Sequence, residues 1–357
     1  MPQVRKEMTG VELTREQFAA RLRRRFHDPG FEPHRDAIER IVEAAWDAYR
    51  DNRKAPFTHP AGPGYADPDY ALSDDWRDAS RRVQEAERRQ KDAASPSRIL
   101  LINGAARSEH TCPGETSKSW RLAVMAREIF AAESGFETEL LDLSRLVSEY
   151  GRNIHPCKTC VSTAMPLCHW PCSCYPNHAL GQVQDWMNDI YPMWAAAHGI
   201  MIVCPVNWYQ VPSVLKLMMD RLVCADGGNP DPTSTHGKDA ARAKELELAG
   251  WHYPRHLAGR VFSIVVHGDA AGVESVQVAL TGWLTDMGLI AAGHQSQLGR
   301  YIGYYEPYAS SHDALDRDTA LQDETRNAAR ALVRAVSMMR RGELKQPDDG
   351  LREPRPK

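Results

Sequence analysis

The sequence predicts an α/β protein: an open parallel sheet of five strands, covered by helices on both faces, behind an N-terminal helical extension. Two observations carry this. From Arg98 onward, short apolar runs alternate with longer stretches whose apolar residues recur at helical spacing, the pattern of a parallel sheet with crossover helices. Residues 1–95 lack such runs, are rich in Arg, Glu, Asp and Ala, and read as helix and loop.

The elements follow in order. Thr14, with Gln17 three residues on, has the pattern of a capping box. A second helix is expected over 35–52, with Ile38, Ile41, Val42, Ala45 and Trp46 on one face. The Pro- and Gly-rich stretch 52–72 reads as loop, and Ser73 or Asp74 caps a third helix reaching about residue 94. This extension is expected to pack on the core or on a partner subunit. In the main domain, residues 96–342, strands are expected at 99–102, 137–143, 200–204, 261–266 and from 289. Helices are expected near 122–130, 179–197, after Pro212, near 273–287 and over 315–340, with a long insertion at 225–258. The polar, Pro-containing tail 343–357 is expected to fray.

Composition narrows the class. The 357 residues suffice for one large domain with a substantial extension. A net charge of −3 offers no global attraction to nucleic acid or an anionic membrane. The basic clusters Arg23-Arg24-Arg25 and Arg81-Arg82 are interspersed with acids and read as solvated helix faces. No apolar run approaches the roughly 20 residues that span a bilayer. The opening MPQVRKEMTGVELTREQ lacks a signal peptide's apolar core. The expectation is a cytoplasmic protein without nucleic-acid or membrane partners, its eight cysteines being thiols or metal ligands rather than structural disulfides.

Three stretches carry the chemistry. The first is 200–221, IMIVCPVNWYQVPSVLKLMMDR. Its apolar run, bounded by Gly199 and Pro205, fits a strand buried on both faces that stops at Pro205. The loop Val206-Asn207-Trp208-Tyr209-Gln210-Val211 follows, then a helix start at Pro212. At the carboxyl edge of a parallel sheet such a loop meets ligands; the alternative is that Trp208 and Tyr209 are core aromatics. Lys216 and Asp220-Arg221 read as helix-face ion pairs. The second stretch ends the first strand, Asn103-Gly104-Ala105-Ala106-Arg107-Ser108, and leads to Thr116-Ser117-Lys118-Ser119 at a helix start. Free N–H groups there, the hydroxyls of Ser117 and Ser119 and the charge of Arg107 suit a phosphate; plain N-capping is the alternative. Neither Gly-x-Gly-x-x-Gly nor Gly-x-x-x-x-Gly-Lys-Ser/Thr occurs here. The third is His267-Gly268-Asp269-Ala270-Ala271-Gly272, after the fourth strand. Its glycines allow close approach to a flat ring, and His267 either donates to a ring or quinone oxygen or is a satisfied buried histidine.

These stretches resemble the flavodoxin-like NADPH-dependent FMN reductases and NAD(P)H:quinone reductases. Pro205, Trp208-Tyr209, Pro212, Lys216 and Asp220-Arg221 are similar to that family's Pro-x-x-Trp-Tyr/Phe-x-x-Pro-x-x-x-Lys-x-x-x-Asp-Arg segment, which lines the isoalloxazine ring. Ser117, Ser119 and Leu122 align with its Gly-Ser-x-Arg…Ser-x-Thr-x-x-Leu pattern, although Ala105 replaces the usual Ser and the segment 109–115 is longer than usual. The resemblance covers roughly 97–300 and implies the strand order 2-1-3-4-5. It implies FMN, with Arg107, Ser117, Lys118 and Ser119 on the phosphate and Pro205, Val206, Asn207, Trp208 and Tyr209 along the ring. His267, Gly268, Asp269 and Gly272 would lie on the ring's far side, His267 being the single candidate for a catalytic role. NAD(P)H as co-substrate, a small aromatic electron acceptor and a homo-oligomer are implied with it.

Cys157-x2-Cys160-x7-Cys168-x3-Cys172-x-Cys174 places five thiols within 18 residues, a density that points to metal or redox chemistry. Iron–sulfur flavoproteins of the same fold carry a compact cysteine motif at this place in the chain, with tighter spacing. These five are therefore candidate ligands of an iron–sulfur cluster, with zinc, free thiols or a redox disulfide as alternatives.

The expected function is an FMN-dependent NAD(P)H oxidoreductase passing hydride through flavin to a quinone, flavin, nitro- or azo-compound. Two other readings are an iron–sulfur flavoprotein carrying electrons between proteins, and a non-enzymatic flavin-binding redox sensor or interaction protein.

Overall fold

A computed structural model describes residues 5–6, 12–346 and 349–351. The extension opens with α1 (Arg15–Arg23), whose Thr14 and Gln17 form the expected capping box, and α2 (Arg35–Arg50). In the stretch expected as loop, Thr58–Pro60 pairs antiparallel with Ala71–Ser73. Ser73 then caps α3 (Asp74–Lys91) by accepting from the Trp76 N–H. The extension packs on the core. α3 lies along α5 (Met187–Ala196), with Arg82 paired to Asp189 at 2.9 Å. The Trp76 indole N–H donates to Pro171 O at 2.8 Å.

The sheet consists of β1 (Ser97–Asn103), β2 (Phe136–Asp142), β3 (Gly199–Pro205), β4 (Val261–Gly268) and β5 (Gln297–Tyr301). All are parallel, in the order β2-β1-β3-β4-β5, the flavodoxin-like arrangement. Alternate residues serve opposite faces. Ile99, Leu101, Met201, Val203 and Val265 pack with α4 (Lys118–Ala131) and α8 (Thr319–Arg340). Leu100, Ile102, Ile200, Ile202 and Ile264 pack with α5, α6 (Ser213–Arg221) and α7 (Val273–Asp286).

The structure revises three boundaries. The expected helix over 179–197 shortens to α5, because Asn177 closes a turn by accepting from the Leu180 N–H and Gly181 turns left-handed (φ 64°). Asp185, just before α5, is drawn into a buried ion pair with Arg221 at 2.5 Å. The fifth strand position is filled in two pieces: Ile290–Ala291 pairs with the start of β4, the chain turns at Gly293 (φ 99°), and β5 resumes at Gln297. The terminal helix is broken at Asp318, which ends Ser311–Arg317 and caps α8.

The insertion 225–258 covers the cysteine segment and the extension. Asn229 exchanges backbone bonds with Cys168 and Trp170, and Asp231 and Thr233 accept from the Ala66 and Asp67 N–H groups. Residues 347–348 and 352–357 of the expected tail lie outside the described residues. Among the described residues no helix is long and apolar enough to cross a membrane.

Candidate flavin site

The carboxyl ends of β1, β3 and β4 bring the three loops together. Pro205 ends β3 in register with His267, and the Val206 N–H donates to His267 O at 2.8 Å. Asn207 and Gln210 then exchange backbone hydrogen bonds at 2.9 and 3.0 Å, closing a two-residue turn over Trp208 and Tyr209. Both central residues are left-handed, at φ 48° and 64°, the requirement of a type I′ turn that Asn-Gly normally meets. An L-residue with a bulky side chain pays about 1–2 kcal/mol for that conformation. The strain does not serve core packing, since Trp208 is 93% and Tyr209 60% exposed.

The β4 loop presses against this turn. Gly272 is left-handed (φ 92°), and a Cβ there would stand 3.0 Å from Tyr209 Cα and 3.1 Å from Val206 Cγ1. Only a glycine satisfies both the conformation and the approach. Beyond the loop, the Ile302 and Tyr305 N–H groups donate to Gly268 O and Asp269 O at 2.7 and 2.9 Å. They hold the exposed rings of Tyr304 and Tyr305 at this rim, with exposed Tyr308 following in sequence.

At the β1–α4 connection Ser117 caps α4, accepting from the Trp120 N–H at 3.1 Å. Capping and a positive helix end coexist here. Two cations flank it. Lys118 has its pKa lowered by burial, with the Asp269 carboxylate opposing and Arg107 adding to the effect. Arg107 pairs with Glu115, while its Nε is buried without a hydrogen-bond partner among the described residues. Glu115 also lies 3.3 Å from His312 Nε2. One carboxylate thus faces both the guanidinium and the imidazole.

The structure decides between the two readings of His267 and gives the Ser119 hydroxyl a protein partner. Ser119 Oγ and His267 Nε2 hydrogen-bond each other at 2.7 Å, both buried. Burial, helped by the Lys118 charge, pushes His267 down to about 3, so the ring is neutral. His267 does not present its ring to an acceptor; it ties α4 to β4, and the Ser119 hydroxyl is engaged in doing so. Sequence spacing could not pair residues so far apart, nor single out Glu115, which has no motif around it.

The cysteines converge elsewhere, but not as a ligand set. Cys160 and Cys174 bring their sulfurs to 3.3 Å, Lys238 Nζ stands 3.7 Å from Cys160 Sγ, and Cys157 Sγ accepts from the Thr159 N–H. Among the described residues no three His, Cys, Asp or Glu side chains are placed to hold a metal ion. The expectation of metal ligands at Cys157, Cys160, Cys168, Cys172 and Cys174 therefore finds no support; a backbone N–H meets the Cys157 sulfur and an ammonium the Cys160 sulfur.

A doubly covered parallel sheet with three loops meeting at its carboxyl rim defines a flavodoxin-like protein. The sequence profile described as NADPH-dependent FMN reductase matches residues 97–301, more than half of the chain. The chain belongs to that family and is an NAD(P)H-dependent flavin oxidoreductase. A comparison with curated proteins finds no match. Among solved structures, RosB with the bound intermediate 8-demethyl-8-formylriboflavin-5′-phosphate is 15% identical, with 70% of this chain and 82% of RosB covered and a TM-score of 0.49. An azoreductase from Bacillus anthracis str. Sterne is 13% identical, with 65% and 98% covered and a TM-score of 0.37. The apo form of the NADH:FMN oxidoreductase EmoB is 13% identical, with 71% and 92% covered and a TM-score of 0.35.

Proposed function

We propose that the rim binds FMN and that the protein oxidises NAD(P)H there, delivering the electrons to a small planar acceptor such as a quinone, a free flavin, or a nitro- or azo-compound. The observation that carries this reading is the Trp208-Tyr209 turn: two aromatics held exposed, in a strained conformation, beside a second loop whose glycine lets it touch them. Strain of this kind persists where a site uses it.

The residues present fit the cofactor. The phosphate would displace the Glu115 carboxylate from Arg107, give the Arg107 Nε a partner, and draw on Lys118 and the capped end of α4. The backbone of Pro205, Val206 and Asn207 with the Trp208-Tyr209 turn would flank one side of the ring, and Gly268, Asp269 and Gly272 the other. Flavin, when bound, supplies the hydride acceptance and donation; the chain's task is to hold the ring and exclude competing reactions. His267 contributes by locking the phosphate-side helix to β4. The exposed rings of Trp208, Tyr304, Tyr305 and Tyr308 support both a planar acceptor and a homo-oligomer in which a second copy covers this rim. The eight cysteines, all free, accord with a cytoplasmic setting.

The test is a fluorescence titration of FMN into the purified protein, followed by NADH and NADPH oxidation with the acceptors named. Arg107→Ala and Lys118→Ala should each weaken FMN by about tenfold or more, the worth of a charge-assisted hydrogen bond, while Glu115→Gln tightens it. A protein that binds no FMN sinks the proposal.

A further inference from the structure

Cys160 and Cys174 form a second redox centre, built from thiols and separate from the flavin rim: we propose that they are a reversible dithiol pair that exchanges with small organic disulfides. Their sulfurs lie 3.3 Å apart although the residues are 14 apart in sequence, so closing a bond of about 2.0 Å needs only a small side-chain adjustment. The two differ in access. Cys160 is half-buried, on a turn entered through Thr159, a β-branched residue held left-handed at φ 50° among exposed neighbours. Cys174 is buried beneath it.

The surroundings suit a thiolate. Lys238 Nζ stands 3.7 Å from Cys160 Sγ while donating to Leu167 O at 3.0 Å. Buried Lys54 reaches Ser173 O, next to Cys174, at 2.6 Å. Hydrogen bonds from Cys160 and Cys172, against burial and with the charges of Lys238 and Lys54, hold Cys174 well below the usual thiol range. The bond to Cys174 and burial push the Cys160 thiol up, so Cys160 carries the shared proton and Cys174 is its base. Thr159, Lys54 and Lys238 come from three separate parts of the chain, and nothing in the flavin site calls for them. Cys172, which hydrogen-bonds Cys174, lies near Arg221 and Cys224, past the end of α6 remote from the rim.

The step balances as thiol–disulfide exchange. The Cys174 thiolate takes the Cys160 proton as the Cys160 sulfur attacks one sulfur of the small disulfide. A mixed disulfide forms on Cys160, the small disulfide's S–S bond breaks, and one small thiol leaves with a proton from solvent. Cys174, deprotonated again, attacks the Cys160 sulfur; the Cys160–Cys174 bond forms and the second small thiol departs. Two protein thiols are oxidised and one small disulfide is reduced to two thiols. A dithiol reverses the sequence.

The experiment treats the full-length protein with oxidised glutathione, then unfolds, alkylates and maps peptides by mass. A Cys160–Cys174 linked peptide, a loss of two reactive thiols, and recovery with dithiothreitol are expected. Cys174→Ser should trap glutathione on Cys160, and Cys160→Ser should abolish both adduct and linkage. Lys238→Met should slow the first step about tenfold by lowering the thiolate fraction. The wild-type map needs no variant to fold, and it reads thiols without reference to flavin, so failure here leaves the flavin proposal standing. The proposal is overturned by thiols that stay reduced in a folded protein, by a different cysteine pair dominating the map, or by a stoichiometric metal bound to these thiols in the purified protein.

Discussion

Ser119 and His267 show how one buried contact changes a residue's role. The sequence marks both as candidates because they follow the first and fourth strands at the sheet's carboxyl rim; the structure turns them toward each other. The consequence is thermodynamic. His267 is pushed down to about 3 in the fold against an unperturbed value of about 6.5. Between those limits the unfolded chain binds a proton that the folded protein excludes. The contribution to stability is therefore complete above about pH 6.5 and is lost as pH falls towards 3. Burial pushes His198 down to about 4, so it acts in the same direction. Urea unfolding of His267→Gln at a series of pH values should show a shallower loss between pH 6.5 and 4 than the wild type; an unchanged slope would count against the assignment. The cations at the start of α4 are a mixed case at this scale. Arg107 is legible as a cation from its place after β1, whereas its partner Glu115 is an ordinary surface acid until the fold sets it beside that guanidinium.

At the scale of elements, the turn over 207–210 is the place where local preference and fold disagree. A two-residue connection of this geometry favours Asn-Gly, and the chain supplies Trp-Tyr. Replacing Trp208→Asn together with Tyr209→Gly should relieve the left-handed strain and stabilise the protein by about 1–3 kcal/mol in denaturant melts. The same double variant should weaken FMN by about tenfold or more, since the ring loses its flanking aromatics. A variant that is both more stable and equally tight would show that the turn has no part in binding. The strand–helix alternation was legible from period alone, because a buried parallel strand has to be apolar throughout. The boundaries of α5, β5 and α8 were not, because Asn177, Gly293 and Asp318 end or restart elements through local bonds that compete with an otherwise continuous apolar pattern.

At the scale of the molecule, the extension and the family's domain share one interior. Val83 and Ala86 of α3 belong to the same buried cluster as β1, β3 and α5, and α8, beyond the residues that match the family, covers the opposite face. A chain beginning at residue 96 should consequently expose the Trp170 and α5 surface and lose cooperative unfolding in calorimetry; a sharp transition near that of the full chain would refute this. The buried Asp185–Arg221 pair joins the segment before α5 to the end of α6, with both side chains almost wholly withdrawn from water. Removing one partner strands the other charge, so Asp185→Ala should cost about 3–5 kcal/mol, readable by urea unfolding.

What the amino-acid order determined by itself is what short-range periodicity and turn chemistry can encode: a parallel sheet, its layers, and three loops destined for one rim. What only the tertiary structure decided is which side chains face each other across that rim and beneath it. Ser119 with His267, Arg107 with Glu115, Asp185 with Arg221 and Cys160 with Cys174 are each brought together by the packing of distinct segments. Direction, burial and charge environment are properties of that packing, and no local pattern contains them.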